Sequence, residues 1–265
     1  ITPSSSNHWL SFQVTDSLSR YSLADFGFTA MFLALFCAVY AAVVSLSVAR
    51  SERLKWVDSA RNAAIAVWPL LTFACFCITY LLINEHFEIE YVARVSSHAM
   101  PWYLKATALW GGQAGSLLFW AWLMSTYTAL VMLRDWRNER DMQPFVIAAT
   151  MATLAFFIGL NVFVENPFAK LWIDQFGHTK AAFFSPPGSQ PFVPNDGQGL
   201  NPLLRHPGMI IHPPMLYLGF VGFVIPYSFA IAALAIGRSD NLWIRVTRRW
   251  TLVAWLFLSL GLLLG

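Results

Sequence analysis

The sequence has 265 residues, of which 57% are hydrophobic and 12% are charged, with a formal net charge of +3. Soluble domains carry about 25% charged residues, so this composition excludes a water-soluble surface. The mean hydropathy is +0.54, and long apolar blocks alternate with short polar pieces. This pattern predicts an all-α, polytopic transmembrane helix bundle of about six spans.

Six apolar blocks predict the spans, at residues 25–48, 62–83, 116–132, 144–164, 212–236 and 250–265. The last block would rise only about 24 Å across a hydrocarbon core of about 30 Å. We therefore expect it to stop inside or barely across the membrane, as part of a longer chain or a divided gene. The whole chain is expected to form one transmembrane domain, with an outer N-terminal arm at 1–24 and outer loops at 84–115 and 165–211.

The basic residues predict the orientation of the bundle. Eleven of the seventeen fall in the three short connections, at 50–61, 134–140 and 238–249. By the positive-inside rule these connections face the cytoplasm or matrix, and the N-terminus and the long loop face outside. Residues 1–24 have no basic start and no apolar core, so we expect no cleavable signal and infer targeting by the first span. The predicted location is a bacterial or mitochondrial inner membrane.

The long outer loop holds seven of the fourteen prolines and an Asp-Gly-Gln-Gly turn at 196–199. This composition predicts extended, turn-rich structure lying on the bundle. The loop is too apolar for a flexible linker. We expect four of its residues to need cover, namely Phe183, Phe184, Phe192 and Val193.

His212 stands where the fifth predicted span begins. Pro213 would take the first helical position that proline favours, which places His212 near the N-cap at the outer interface. The positive helix end would lower the imidazole pKa, keep the ring neutral and able to ligate a metal, and favour carboxylates such as haem propionates. The alternative is an interfacial histidine that only caps the helix. His206 is interpreted as a hydrogen-bonding partner.

The remaining histidines and the cysteines predict no further metal site. His8, His86, His98 and His178 are interpreted as surface or interface residues. No histidine lies mid-span, so we expect no intramembrane bis-histidine haem site to be completed by this chain. The cysteines fall within predicted spans and are interpreted as small core residues, namely Cys37, Cys75 and Cys77.

A second patch is the Trp-Gly-Gly-Gln-Ala-Gly-Ser-Leu-Leu-Phe-Trp run at 110–120. It lacks the Lys-Ser/Thr ending of a phosphate loop. Gly111 and Gly115 stand four apart, a spacing that allows the backbone of another helix to approach closely. Gly111, Gly112 and Gly115 therefore predict either packing or contact with a flat ligand, with Trp110 and Trp120 as stacking surfaces.

Both patches resemble a known family, the cytochrome c biogenesis haem lyases of the CcmF and NrfE type. The similar segments are 91–97, 100–103, the Trp-Gly-Gly run at 110–120, Asp-Gly-x-Gly-Leu-Asn-Pro-Leu-Leu at 196–204, and Pro-Gly-x-x-x-His-Pro-Pro-x-Leu-Tyr-x-Gly at 207–219. There are two departures. Ala114 stands where the family commonly has an acidic residue, and the family's tryptophan-rich segment, expected after residue 265, is absent from this sequence.

The resemblance implies that haem b is held on the outer face by two axial histidines and joined by its vinyl groups to the thiols of CxxCH in apocytochrome c. His212 matches the first of these ligands, within a motif that includes Pro213 and Pro214. The implied partners are apocytochrome c, a haem chaperone, other maturation subunits and the remainder of the lyase, which carries the tryptophan-rich segment. No nucleic-acid partner is expected.

Two other classes of function stay open. A non-catalytic haem- or quinone-binding scaffold of a redox assembly is consistent with the missing segment. A transporter or channel fits poorly, because the predicted spans hold almost no ionisable residues.

Overall fold

The computed structural model describes residues 7–49, 54–137, 139–238 and 241–265, with residues 7–22 as backbone. Among these residues the helices are α1 (Asn7–Val48), α2 (Leu54–Ile83), α3 (Glu90–Val95), α4 (Trp102–Thr107), α5 (Gln113–Met132), α6 (Gln143–Phe163), α7 (Pro207–Gly222), α8 (Val224–Ile236) and α9 (Leu242–Leu264). Short 3-10 turns cover Ala108–Trp110 and Pro202–Arg205.

Six helical segments in the described part of the chain are long and apolar enough to cross a membrane, with α7 and α8 together forming one of them. The all-α polytopic bundle is therefore confirmed. The first span begins at Leu23, close to the predicted residue 25, although α1 itself extends back to Asn7. The predicted starts of the second and last spans are wrong, because these spans begin at Lys55 in place of residue 62 and at Leu242 in place of residue 250.

The last helix has 23 residues and is long enough to span, so the expectation that it falls short is wrong. Hydropathy alone excludes the arginines that lie in its first turns, namely Arg245, Arg248 and Arg249. Long basic side chains near a helix end extend their charged groups toward the interface, so these residues can belong to the membrane-spanning part of the helix. Lys55 and Arg61 begin α2 in the same way.

Small residues allow the helices to pack closely. Ala30, Ala34, Ala38 and Ala41 are buried along one face of α1, at the spacing of helix neighbours, and α1 packs on α2 and α6. α5 is central, with 67% of the residues in its apolar stretch buried. α9 lies at the edge of the bundle, with 17% of these residues buried, and packs mainly on α7 and α8. Cys75 and Cys77 are buried in the core as expected, and Cys37 is partly buried.

The long loop contains a small antiparallel sheet in addition to the expected turns. Its strands are β1 (Lys170–Ile173), β2 (Thr179–Ala182) and β3 (Gln190–Pro191), with β1 in the centre. Trp172 pairs with Lys180 and Pro191. A bridge between Ile89 and Lys170 joins this sheet to the other outer loop. The two outer loops therefore form one layer over the bundle.

Of the four apolar loop residues that we expected to be covered by other residues, two are covered and two are exposed. The Phe183 ring stacks on Phe28 of α1 with centroids 3.9 Å apart, and Phe192 is partly buried. Phe184 and Val193 are 76% and 55% exposed, so the expectation is wrong for these two. Adjacent residues in extended chain point to opposite sides, so a covered residue leaves its neighbour facing outward.

Candidate functional site

His212 lies inside α7 and not at its N-cap, which corrects the predicted helix start. The helix begins at Pro207, and His206 is the N-cap, accepting a hydrogen bond at Nδ1 from Gly208 N over 3.2 Å. The reason is that Pro207 already takes the first helical position. Pro213 and Pro214 lie within the helix and give no amide hydrogens to the carbonyls one turn earlier.

Inside α7, the His212 ring is oriented by a hydrogen bond and not by the field of the helix end. The field of a helix end falls off within its first turn, and His212 is five residues beyond Pro207. The side chain is partly buried, and its Nδ1 lies 2.7 Å from the carbonyl oxygen of Gly261 on α9. A carbonyl only accepts, so Nδ1 is the donor and carries the ring hydrogen.

When the His212 ring is neutral, the opposite nitrogen, Nε2, keeps its lone pair. In a neutral imidazole one nitrogen donates and the other accepts. No hydrogen bond to Nε2 is present among the described residues. Metal-ligating histidines almost always donate their second ring N–H to a carbonyl, a carboxylate or water. The donor set at His212 therefore fits a single axial ligand to haem iron.

The glycines of the second patch lie in tight contacts, as predicted, but their neighbours are side chains and the preceding turn and not the backbone of another helix. A Cβ atom on Gly115 would stand 2.1 Å from Leu109 O and 2.2 Å from Tyr91 Oη. On Gly111 it would meet Leu200 Cδ1 at 2.4 Å, and on Gly112 it would meet Tyr91 at 3.0 Å. These nearest atoms account for the glycines by packing, and none belongs to His212. Their contact with haem stays a prediction.

Tyr91 is the centre of this packing and was not singled out from the sequence. Its hydroxyl donates to Ala108 O at 2.7 Å and Leu109 O at 3.0 Å. The residue is fully buried, and burial raises the pKa of the phenol. The sequence indicated a role for Tyr91 only through its place in the segment 91–97, which resembles the family. The hydroxyl fixes the turn that leads into α5.

The two predicted tryptophan surfaces lie against other aromatic rings. Trp110 packs on Phe119 with centroids 5.3 Å apart, and Trp120 lies edge-on to Tyr217 at 5.3 Å and Phe220 at 4.7 Å. The Trp120 indole N–H is buried without a hydrogen-bond partner among the described residues. The cluster joins α5 to α7, and the Trp120 indole N–H within it is available as a hydrogen-bond donor.

The Asp-Gly-Gln-Gly turn at 196–199 docks on the end of α3. Gln198 N donates to Ala93 O at 2.7 Å, and Gly199 N donates to Ser96 O at 3.0 Å. A Cβ atom on Gly197 would stand 2.1 Å from Ser96 O. The turn thus satisfies carbonyls at a helix end, where intrahelical donors run out.

A charged cluster attaches this turn to the end of α2. Glu85, in the left-handed region with φ 60°, accepts hydrogen bonds from Lys105 Nζ and from His98 Nδ1. His98 Nε2 lies 3.1 Å from Asn195 O. The Lys105 ammonium and then His98 lower the pKa of Glu85. The bond to Glu85, and then the one to Asn195, raise the pKa of His98.

We expect this cluster to make stability depend on pH. The raised pKa means that the contribution of His98 is complete below its unfolded value of 6.5 and is lost as pH rises through the folded value. The lowered pKa of Glu85 means that its contribution is complete above 4.5 and is lost as pH falls. The cluster should stabilise most between these limits. The difference in Tm between the unmodified protein and His98→Gln should therefore shrink from about pH 5.5 to about pH 8.5.

The matched control is His178→Gln, at an exposed histidine that forms an ion pair with Asp174 outside this cluster. A Tm difference for His98→Gln that stays constant over this pH range would contradict the expectation.

Comparison with known proteins places the chain in a family. The model of the family described as cytochrome C assembly protein matches residues 110–265, which is more than half of the sequence. The chain belongs to the cytochrome C assembly protein family. The matched region contains the second patch, the docked turn and His212.

Individual relatives agree with this assignment. The chain is 37% identical to the cytochrome c-type biogenesis protein CcmF of Pseudomonas aeruginosa, over 92% of this chain and 34% of that protein. It is 34% identical to CcmF of Escherichia coli over 92% of this chain and 35% of that protein. It is 35% identical to the probable cytochrome c-type biogenesis protein NrfE of Escherichia coli, over 80% and 36%.

A solved structure shows the same fold. The cytochrome c haem lyase CcmF matches with a TM-score of 0.73 and 26% identity, over 90% of this chain and 35% of that one. The chain therefore spans about a third of the length of the family members it matches. The CcmF and NrfE resemblance is confirmed.

Proposed function

We propose that this chain is part of a membrane haem lyase that holds haem on its outer face for thioether attachment to the CxxCH motif of apocytochrome c. The observation that carries the proposal is the His212 ring, with Nδ1 donating to Gly261 O and Nε2 left to ligate. The names of the relatives support the biological setting.

Haem is the substrate in this proposal. When bound, its iron takes axial ligands and its vinyl groups are the positions that accept the cysteine thiols. The role of His212 is to hold the macrocycle through one ligand bond in a fixed orientation, as positioning requires. The second axial histidine and the tryptophan-rich segment are assigned to the remainder of the lyase. We assign no acid, base or nucleophile to this chain.

The partners follow from the same proposal. They are apocytochrome c, a haem chaperone that delivers the substrate, and other maturation subunits. The outer orientation rests on the division of basic residues. Lys55, Arg61, Arg245, Arg248 and Arg249 lie in helix ends and not in loops, but they stay at the same ends of the spans.

The test is His212→Ala in the complete lyase, with haem occupancy and holocytochrome c yield measured. We expect a loss of haem of about 10-fold or more, since one of two axial ligands is removed, with membrane insertion unchanged. Imidazole added to the medium should restore part of the haem by filling the vacant position. Unchanged haem content and yield would reduce His212 to a structural residue.

The scaffold alternative gives a different result in the same assay. A scaffold would retain haem in the unmodified protein but form no thioether bond with a CxxCH peptide. Haem retention and thioether formation are therefore measured separately, so that binding is distinguished from lyase activity.

A further inference from the structure

α7 and α9 touch backbone to backbone beside His212. A Cβ atom on Gly219 would stand 2.4 Å from Leu258 N, and one on Gly261 would stand 2.7 Å from both Cα and N of Leu216. The contacts are reciprocal, since each helix supplies one glycine and one leucine backbone. As the residue number rises on α7 it falls on α9, so the two helices run antiparallel.

Only glycine at both positions allows this approach. Cβ atoms in real structures essentially never come within 3.0 Å of such atoms, and here the obstructing atoms are helical backbone that cannot rotate away. Close approach through small residues is the usual way that helices associate in membranes. A methyl group at either position must therefore push α9 away from α7.

The same crossing carries the partner of the haem ligand. Because Gly261 has no side chain, its backbone can contact Leu216. Its carbonyl accepts the hydrogen bond from His212 Nδ1. Gly265, four residues later and directly after the end of α9, is so close that its Cβ would stand 2.4 Å from His212 Cε1. The imidazole is thus held between its own helix and the glycine side of α9.

We infer that Gly219 and Gly261 are positioning residues for haem ligation: they bring the Gly261 carbonyl to His212, which fixes the ring as the Nδ1–H tautomer and leaves the Nε2 lone pair to bind iron. This inference rests on the proposed function. A hydrogen bond from the second ring nitrogen both orients a ligating imidazole and raises its basicity. The glycines act through His212 and do not touch the substrate.

The first test needs no haem and leaves both glycines unchanged. The complete lyase without haem is labelled with ¹⁵N-histidine, and the ring nitrogen shifts of His212 are assigned by their loss in His212→Asn. We expect the protonated nitrogen to be Nδ1. A ring protonated at Nε2 would overturn the inference, whether or not His212 binds haem.

The second test moves the helix. Gly261→Ala and Gly219→Ala should each release the ring from the carbonyl, so that both tautomers appear and haem is bound about 10-fold more weakly. The matched control is Gly159→Ala on α6, where an added Cβ meets no atom within 4 Å. The control should leave the tautomer and haem affinity unchanged.

Stability separates positioning from ordinary packing. If the two glycine variants only lower Tm while the Nδ1–H tautomer and haem affinity stay as in the control, the inference is wrong. If these variants do not fold, His212→Asn replaces them, because its amide N–H can still donate to Gly261 O. It should then keep a higher Tm than His212→Ala without haem, and equal Tm values would overturn the hydrogen bond.

The outcomes also separate this inference from the function on which it rests. Normal haem occupancy in His212→Ala means that the proposed ligand is wrong, whatever the tautomer. Haem loss in His212→Ala together with normal haem and tautomer in Gly261→Ala means that the ligand is right and the positioning role is wrong.

Discussion

Gly115→Leu is expected to lower the free energy of unfolding by about 2–6 kcal/mol, a large share of the total. The new Cβ would fall 2.1 Å from Leu109 O and 2.2 Å from Tyr91 Oη. Neither atom can yield without loss of the hydrogen bond between them, which is 3.0 Å long. Overpacking of about 1–3 kcal/mol adds to about 1–3 kcal/mol for buried polar groups left unpaired. Typical domains have only about 5–15 kcal/mol of stability.

The measurement is thermal unfolding in detergent, with the amount of inserted protein as a second readout. Gly159→Leu is the matched control, because its position on α6 is open. Tyr91→Phe isolates the hydrogen bonds from the packing and should have an intermediate effect. An unchanged Tm for Gly115→Leu would show that the turn before α5 is not held as described.

Gly197→Val is expected to detach the 196–199 turn from α3 while leaving the spans folded. The first added carbon would stand 2.1 Å from Ser96 O and 2.7 Å from Ala93 O. These two carbonyls accept the bonds from Gly199 and Gln198. Loss of both bonds at about 1 kcal/mol or more each should raise the population of the open turn by 10-fold or more.

Limited proteolysis under native conditions measures this change, since cleavage follows the open population when closing is fast. Gln198→Ala is the control, because its side chain is exposed and its amide N–H is kept. Cleavage of Gly197→Val at the rate of the control would contradict the docking of the turn.

The spans were predictable because hydrocarbon imposes length and apolarity on each helix. Their ends were less so, because a hydropathy window stops at the first charged residue. α9 therefore seemed to begin near residue 250, although the helix includes Arg245 and its neighbours. The sheet at β1–β3 was missed because its strands have two to four residues, too few for a period-2 pattern to appear.

At the site, the residues were predicted better than their roles. Pro213 predicted a helix start beside His212, whereas the helix begins five residues earlier, at Pro207. The partner Gly261 could not have been found, because a backbone carbonyl has no sequence signal and lies 49 residues away. The tight packing at Gly115 followed from spacing alone, whereas its contact, Tyr91, depends on the fold.

The edge position of α9 has a consequence for the chemistry of His212. α9 packs mainly on α7 and α8, and much of its remaining surface is left to lipid or to other protein. In a bilayer a helix keeps its own backbone bonds when it separates from a neighbour, so that lateral association and helix formation are independent events. The Gly261 carbonyl reaches His212 Nδ1 only while α9 is packed on α7. Under the proposed function, the lateral association of α7 with α9 therefore decides which ring nitrogen of His212 carries the hydrogen and which is left to bind haem iron.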